Sequence, residues 1–388
     1  MKRNLRYFAV LVGLAVVAAA CSPAATEEPE PTQAPPATEA PATTHADDHG
    51  DDHDETTTTE AAETMIGEGV LVGMAFDVGG RGDLSFNDLA AKAWDEGKVK
   101  YGYDGQELAP DAGGENREEN LRLLAETGHS LIIANGFAFA QNVWRVGTEF
   151  PEVMFAITDS CPQDDSFATV DMPNVRCMLF AEHEGSFLVG AAAALKSQTN
   201  KIGFIGGVQI GLIEKFQAGF EAGARYINPD VEILVDYLTQ PPDFSGFGDP
   251  VKGKESALAM YAQGADVVYH AAGGSGLGLF QAAAEASTDD QFLWAIGVDA
   301  DQYNTVGDPA LQEHILTSML KRVDVAVGNT IEDFLMGEFT SGPVVFDLAA
   351  EGVGYSTTGG FVDDIVDQLE DIKAKIISGE IEVPDALG

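Results

Sequence analysis

The sequence predicts an α/β protein folded as two lobes, each built around a doubly wound, mostly parallel sheet. Three observations carry this expectation. From residue 66 onward, strand-length apolar runs alternate with helix-length patterned stretches, the signature of βαβ units. About 320 residues follow this pattern, more than one ordinary hydrophobic core holds, so two lobes are expected. Several strand candidates also end in Asp, Asn or Gly, which suits a ligand crevice at the carboxyl edge of an open parallel sheet.

Taken in order, the first strand is the apolar run over residues 70–76, followed by a permissive turn containing Gly79, Gly80 and Gly82. Ser85 then reads as the cap of a helix whose apolar stripe is Phe86, Leu89, Ala90, Ala93, Trp94 and Gly97. Further strands are expected over residues 130–135, 153–158, 174–180, 201–206, 231–237, 266–271 and 292–298. The 3.6-residue period places helices between them over 116–127, 184–198, 212–227, 253–263 and 277–286. Right-handed crossovers would put these helices on both faces of each sheet. The chain is expected to change lobe near Glu182 and to return near Ser318 and Ser341. That gives one lobe of residues 65–181 with 318–340 and another of 182–317 with 341–388.

The first 64 residues stand apart. Lys2, Arg3 and Arg6 precede an apolar run over residues 7–20 that ends in small residues before Cys21, as in a secretory signal of the lipoprotein kind. The expectation is a signal peptide over 1–20 and a mature chain anchored outside the cytoplasm by lipid on Cys21. Residues 22–64 hold twelve Asp or Glu and no Lys or Arg, among runs of Pro, Ala and Thr. Such a segment buries too little apolar surface to offset chain entropy and reads as an acidic tether. Its His45, His49 and His53 lie among aspartates, yet a tract of this kind lacks the supporting groups that fix a metal, so no metal is assigned.

Sixty-three acidic residues against 21 basic ones give a net charge of -42, which argues against nucleic acid as a partner and disfavours polyanionic ligands. Beyond Cys21 the only cysteines are Cys161 and Cys177. They are not spaced as metal ligands, and in an oxidising compartment they either pair or remain free.

Five strand ends supply candidate ligand contacts: Asp77; Asn135 with Gly136 and Phe137; Asp159; the glycines of residues 273–278; and Asp299. Carboxylates in a closed cleft accept charge-assisted bonds from neutral ligands rich in N–H and O–H groups, such as sugars and nucleosides. Any one of these aspartates is also compatible with a turn or helix cap. Phe86 and Phe216 read either as first core residues of their helices or as rings that sandwich an aromatic base. Lys321, placed at the start of a helix, either donates to a ligand or offsets the surrounding negative charge. The GGSGLG loop at 273–278 offers G-x-G at Gly274 and Gly276, but Leu279 stands where a dinucleotide fingerprint needs its third glycine. His183 and His270 stand apart from any nucleophile, so neither a catalytic triad nor a cofactor is expected.

The segments FDVGGRGDLSFND, FPEVMFAITD, NVRCMLFAEHEGSFLVGAAAAL, KIGFIGGVQIGLIEKFQAGFEAGA, GADVVYHAAGGSGLG, AIGVDADQ and LTSMLKRVDVAV follow one another between about Gly69 and Thr358. In that order they resemble the basic membrane protein family of bacterial substrate-binding lipoproteins, which includes the purine nucleoside receptors of ABC importers. The resemblance implies a type I periplasmic-binding-protein fold with two lobes joined by three crossovers. It implies capture of a nucleoside, expected to be a purine nucleoside, for delivery to a permease and its ATPase, without catalysis. The same fold could instead hold a sugar or another small polar ligand, or serve a sensory receptor. By resemblance, Asp77 and Asp159 lie at the base side, Phe86 and Phe216 sandwich the base, and Asn87 is a further polar contact. Gly274, Asp299 and Lys321 would hold the ribose. The chain departs from the usual pattern at Leu84, where Lys is common, and at Asp88, where Gln is common, which leaves the choice of base open.

Overall fold

The computed structural model of the chain describes residues 65–111 and 113–388. The expected signal peptide, Cys21 and the acidic tether lie outside the described residues.

The first lobe opens with β1 (Val72–Phe76), α1 (Phe86–Tyr101), β2 (Glu107–Leu108) and α2 (Arg117–Glu126). It continues through β3 (Leu131–Asn135), α3 (Ala140–Glu149), β4 (Met154–Thr158) and β5 (Val175–Phe180). The chain then crosses into the second lobe with α4 (Glu182–Lys196), β6 (Lys201–Val208), α5 (Gly211–Ile227), β7 (Glu232–Thr239) and α6 (Pro250–Ala262). There follow β8 (Val267–Ala271), α7 (Gly276–Ala286), β9 (Trp294–Asp299), two short helices α8 (Gln302–Thr305) and α9 (Pro309–Gln312), and β10 (Ile315–Lys321). A second crossover leads back to α10 (Val323–Met336) and β11 (Gly342–Phe346), and a third to β12 (Val353–Tyr355) and α11 (Val366–Ile377).

Each sheet has six strands, in the orders β11-β5-β4-β3-β1-β2 and β12-β10-β9-β8-β6-β7. The two orders correspond position by position, so β1 matches β6, β3 matches β8, β4 matches β9 and β5 matches β10. Two doubly wound lobes joined by three crossovers give the type I periplasmic-binding-protein architecture that the resemblance implied. One strand breaks the parallel rule, since β12 runs antiparallel to β10.

Why these segments become central strands is evident from their burial. All five residues of β1, β3 and β8 are buried, because helices cover both faces and every side chain must be apolar or satisfied. The edge strand β11 instead alternates in exposure, with Val345 open to solvent. Helices α4 and α5 approach closely because Gly219 and Gly223 lie against the carbonyl oxygens of His183 and Phe187, where an added Cβ would come within 2.1 and 2.0 Å. That contact fixes the start of α4 against the middle of α5, the helices that carry Glu182 and Phe216.

Two lobe boundaries differ from the expectation. Ser318 lies inside β10, which pairs with β9 in the second lobe, so the return to the first lobe comes after Lys321. Ser341 precedes β11, which pairs with β5 in the first lobe, so the last return comes after Phe346. Lys321 accordingly ends a strand, and the helix after it starts at Val323.

Cys161 and Cys177 form a disulfide, their Cα atoms 5.0 Å apart. It ties the loop after β4 to β5 beside the pairing in which Asp159 N–H donates to Met178 O at 2.9 Å. By loop-closure entropy such a link contributes about 3 kcal/mol. Replacing both cysteines with Ser is therefore expected to lower the urea midpoint by an amount corresponding to that loss, and an unchanged midpoint would show the link to be energetically silent.

Candidate functional site

A cavity of about 720 Å³, counting its mouth, opens between the carboxyl edges of the two sheets. Its wall from the first lobe includes Asp77, Asp83, Phe86, Asn87, Arg117, Phe137 and Asp159, and from the second lobe Phe216, Phe244, Phe247, Gly273, Asp299 and Lys321. Of the residues singled out in the sequence, Asp77, Phe86, Asn87, Asp159, Phe216, Asp299 and Lys321 therefore face one space. Gly274 does not. The lining passes through Gly273, whose φ of +52° favours glycine, while Gly274 sits one step behind it against the Phe247 carbonyl and Asp83.

The lobe correspondence has a local consequence. Asp159 directly follows β4 and Asp299 is the last residue of β9, corresponding strands of the two sheets, and both adopt left-handed backbone angles, with φ of +67° and +62°. Non-glycine residues hold this conformation at a cost of order 1–3 kcal/mol, and such strain collects at ligand sites. Here it turns a carboxylate from each lobe inward to face its counterpart.

Between them stands Lys321, only 2 % exposed. Its Nζ lies 2.6 Å from Asp159 Oδ1 and 3.6 Å from Glu182 Oε1. The first of these contacts joins opposite charges within hydrogen-bond reach. The same ammonium lies 5.1 Å from the Phe86 ring centroid, 5.0 Å from Phe180 and 5.6 Å from Phe216, close enough for cation–π attraction. Phe86 from one lobe and Phe216 from the other thus both lie beside the Lys321 ammonium. Burial raises the Asp159 carboxyl above its ordinary range although Lys321 opposes the shift. Burial likewise pushes Asp299 up to about 7.

At the opposite end, Asp77 is held by Arg117. Arg117 Nε donates to Asp77 Oδ1 at 2.8 Å and its Nη2 donates to the same oxygen, while Val78 N–H donates there at 2.7 Å. Asn87 presents its amide to the cavity, its Oδ1 accepting from Asn135 Nδ2 at 3.2 Å. Asn135 is steadied in turn by the Thr158 hydroxyl, which donates to its Oδ1 at 3.0 Å.

The turn before α1 joins the lobes. Asp83, and not Ser85, caps the helix, accepting N–H bonds from Ser85, Asn87 and Asp88 at 3.0, 2.8 and 3.1 Å. The Ser85 hydroxyl is engaged across the cleft, within 2.9 Å of Val298 O and 3.0 Å of Asp299 Oδ2. Leu84, at φ +57°, turns its carbonyl to the second lobe, where Thr305 Oγ1 donates at 2.9 Å. Asp88 holds this conformation by accepting from the backbone N–H groups of Gly82 and Leu84 at 2.7 and 2.9 Å. The two departures from the family pattern are therefore structurally linked, one residue stapling the other. Replacing Ser85 with Ala removes a contact that bridges the two lobes. At about 1 kcal/mol for such a bond, ligand release should quicken roughly fivefold, measurable by stopped-flow displacement.

Several cavity residues escaped the sequence reading. Arg117 left one clue, because a cation at a helix N-terminus opposes the dipole and needs a carboxylate partner. Phe244 and Phe247 left another, as two aromatic residues in a Gly/Pro/Asp-rich loop have no helical or strand period to bury them. They meet Phe137 across the mouth at centroid distances of 5.9 and 6.4 Å.

Comparisons with known proteins agree with this architecture. A family model described as "ABC transporter substrate-binding protein PnrA-like" matches residues 70–386. A Listeria innocua protein named "CD4+ T-cell-stimulating antigen" is 34 % identical over 330 residues, covering 81 % of this chain and 88 % of its own. The "ABC transporter nucleoside-binding protein BmpA" of Lactococcus lactis is 31 % identical over 345 residues, covering 86 % and 93 %. Among solved structures, an ABC transporter solute-binding protein from Aeropyrum pernix superimposes with a TM-score of 0.70 at 31 % identity, covering 81 % of this chain and 94 % of that one.

Proposed function

Because this chain belongs to the PnrA-like family of ABC transporter substrate-binding proteins, we propose that it captures a nucleoside between its lobes and delivers it to a membrane permease. The observation that carries this reading is that Phe86 and Phe216, one ring from each lobe, line the same cavity as Asp77, Asp83, Asp159 and Asp299. A flat base stacked between them would gain on both faces, about 1 to 3 kcal/mol in total or more. Asp299, Asp159 and Lys321 would meet the hydroxylated part of the ligand, and Asp77, Asn87 and Arg117 the base. Both cations of the wall are already paired with carboxylates, which leaves nothing to neutralise a phosphate and favours the nucleoside over its nucleotide.

No chemistry is assigned to the site. The contacts of Ser85 and Leu84 across the cleft provide closure around the ligand, and the closed form is the signal a permease would read. Among the described residues no helix is long and apolar enough to cross a membrane. Attachment to the membrane is assigned to lipid on Cys21.

A second reading keeps the fold and replaces the nucleoside with a small sugar, which the carboxylates alone would accommodate. Melting curves separate the two. Inosine, guanosine or adenosine at millimolar concentration should raise the melting temperature by several degrees through linkage, and free ribose much less. A shift with sugars and none with any nucleoside would favour the second reading.

A further inference from the structure

We propose that Arg117, with Asn87 and Asp77, makes the pocket selective for a base bearing a lactam edge, a ring carbonyl beside a ring N–H, so that inosine and guanosine bind more tightly than adenosine. This rests on the nucleoside reading and sharpens it.

Arg117 is the first residue of α2 and is 8 % exposed. Its guanidinium is fixed on three sides. Nε and Nη2 donate to Asp77 Oδ1, Nη1 donates to Gly114 O at 3.0 Å, and the group lies over the Phe139 ring at 5.8 Å. Gly114 suits this turn, since its φ of +72° favours glycine and an added Cβ would crowd the guanidinium. A guanidinium carries five N–H bonds. These contacts use three of them, and one on each Nη has no partner among the described residues.

The neighbouring groups complete a pattern. Asp77 Oδ1 takes the two arginine bonds and Val78 N–H, whereas Oδ2 accepts nothing from the described residues. Asn87 has its oxygen occupied by Asn135, which leaves its Nδ2 as a donor, and the side chain is buried on the cavity wall. This end of the pocket therefore displays one carboxylate acceptor beside at least two donors, one of them charged.

A lactam edge matches that display. Its N–H donates to Asp77 Oδ2, and its carbonyl oxygen, with two lone pairs, accepts from both Arg117 and Asn87. Adenine fits less well in either orientation. With its amino group toward Arg117, donor meets donor. Turned over, it gives the amino group to Oδ2 but offers only the single lone pair of a ring nitrogen, so one buried donor stays unpaired. A site built to satisfy polar groups discriminates against a ligand that leaves one unmade. The preference for inosine over adenosine should be roughly tenfold or more.

Calorimetric titration of the full-length chain with inosine, guanosine, adenosine and 1-methylinosine tests this. The lactam nucleosides should bind at least about tenfold more tightly than adenosine, and 1-methylinosine, which lacks the N–H, should lose a similar factor. Arg117→Lys keeps a charge opposite Asp77 but loses the planar fork, so the inosine-to-adenosine ratio should fall toward one. A role confined to folding would weaken both ligands alike and leave that ratio unchanged. The proposal is overturned if adenosine binds the native protein as tightly as inosine, if 1-methylinosine binds as well as inosine, or if the ratio survives in Arg117→Lys. The methylated ligand needs no variant, so that result stands even if Arg117→Lys fails to fold. Binding of no nucleoside at all would instead overturn the nucleoside reading on which the proposal rests.

Discussion

Phe86→Ala should weaken nucleoside binding by roughly 5- to 150-fold, the equivalent of about 1 to 3 kcal/mol of base stacking. Of the two rings this is the cleaner one to remove. Phe216 is 3 % exposed and packs in the core beside Phe220, so its truncation would also cost fold stability through the cavity it leaves. Phe86 is only partly buried and sits at the start of α1, where its ring meets Lys321 and the open pocket. Phe86→Trp or Phe86→Tyr should retain most of the affinity, because each keeps a face for the base. A ligand held only by its hydroxyl groups would show little difference between the Ala and Tyr variants. The loss should therefore appear in calorimetry as a weakened Kd for the nucleoside that Tyr restores and Ala does not.

Lys321→Met should cost about 3 to 5 kcal/mol of folding stability near pH 8, as well as abolishing tight ligand binding. The cause is what remains behind. Asp159 and Glu182 are 5 % and 1 % exposed at their side chains and both rely on the ammonium, with Lys215 reaching only Glu182, at 2.8 Å. Without Lys321, Asp159 and Asp299 both remain on the cavity wall with no cation between them. The sign of the pH dependence follows from the protons. Asp299 titrates at about 7 in the folded protein, above the ordinary carboxylate value near 4, so the folded state holds this proton more tightly than the unfolded state. Such a group costs stability above pH 7, and the cost diminishes as pH falls from 7 toward 4. Removing Lys321 raises both aspartates further, so the deficit of the variant should be largest at pH 8 and should shrink by pH 5. Urea unfolding at pH 8, 6 and 5 measures it. A deficit that stayed constant over that range would mean that unpaired carboxylates are not its source.

The central strands were legible because burial on both faces demands an unbroken apolar run. Residues 131–134 and 267–269 meet that demand, and the polar Asn135 and His270 that follow are held by hydrogen bonds to Asn87 and Gln302. Their carboxyl ends were legible for the converse reason, since Asp at the end of such a run has no place in a core. The edge strands β11 and β12 were not legible. The first alternates in exposure, the second is three residues long, and their membership in different sheets is set by crossovers that no local pattern records. That is why the returns near Ser318 and Ser341 were misplaced. The partners of site residues were hidden for a similar reason. Arg117 lies 40 residues from Asp77, and Ser85 lies 214 from Asp299. Ser85 carries the residue type of a helix cap, and locally nothing distinguishes it from one. Its hydroxyl instead meets Val298 O and Asp299 Oδ2 of the second lobe, and Asp83 caps the helix. That Asp159 and Asp299 both end strands was legible, whereas the correspondence of those strands between the lobes comes from the sheet orders.

A crystal structure of the protein grown with inosine tests the central claim most directly. Density for the base is expected between the Phe86 and Phe216 rings, its polar edge toward Asp77, Asn87 and Arg117, and the ribose hydroxyls within hydrogen-bond distance of Asp299 or Lys321. Density for the base lying outside the two rings, or an empty cleft in crystals grown at saturating inosine, would contradict it.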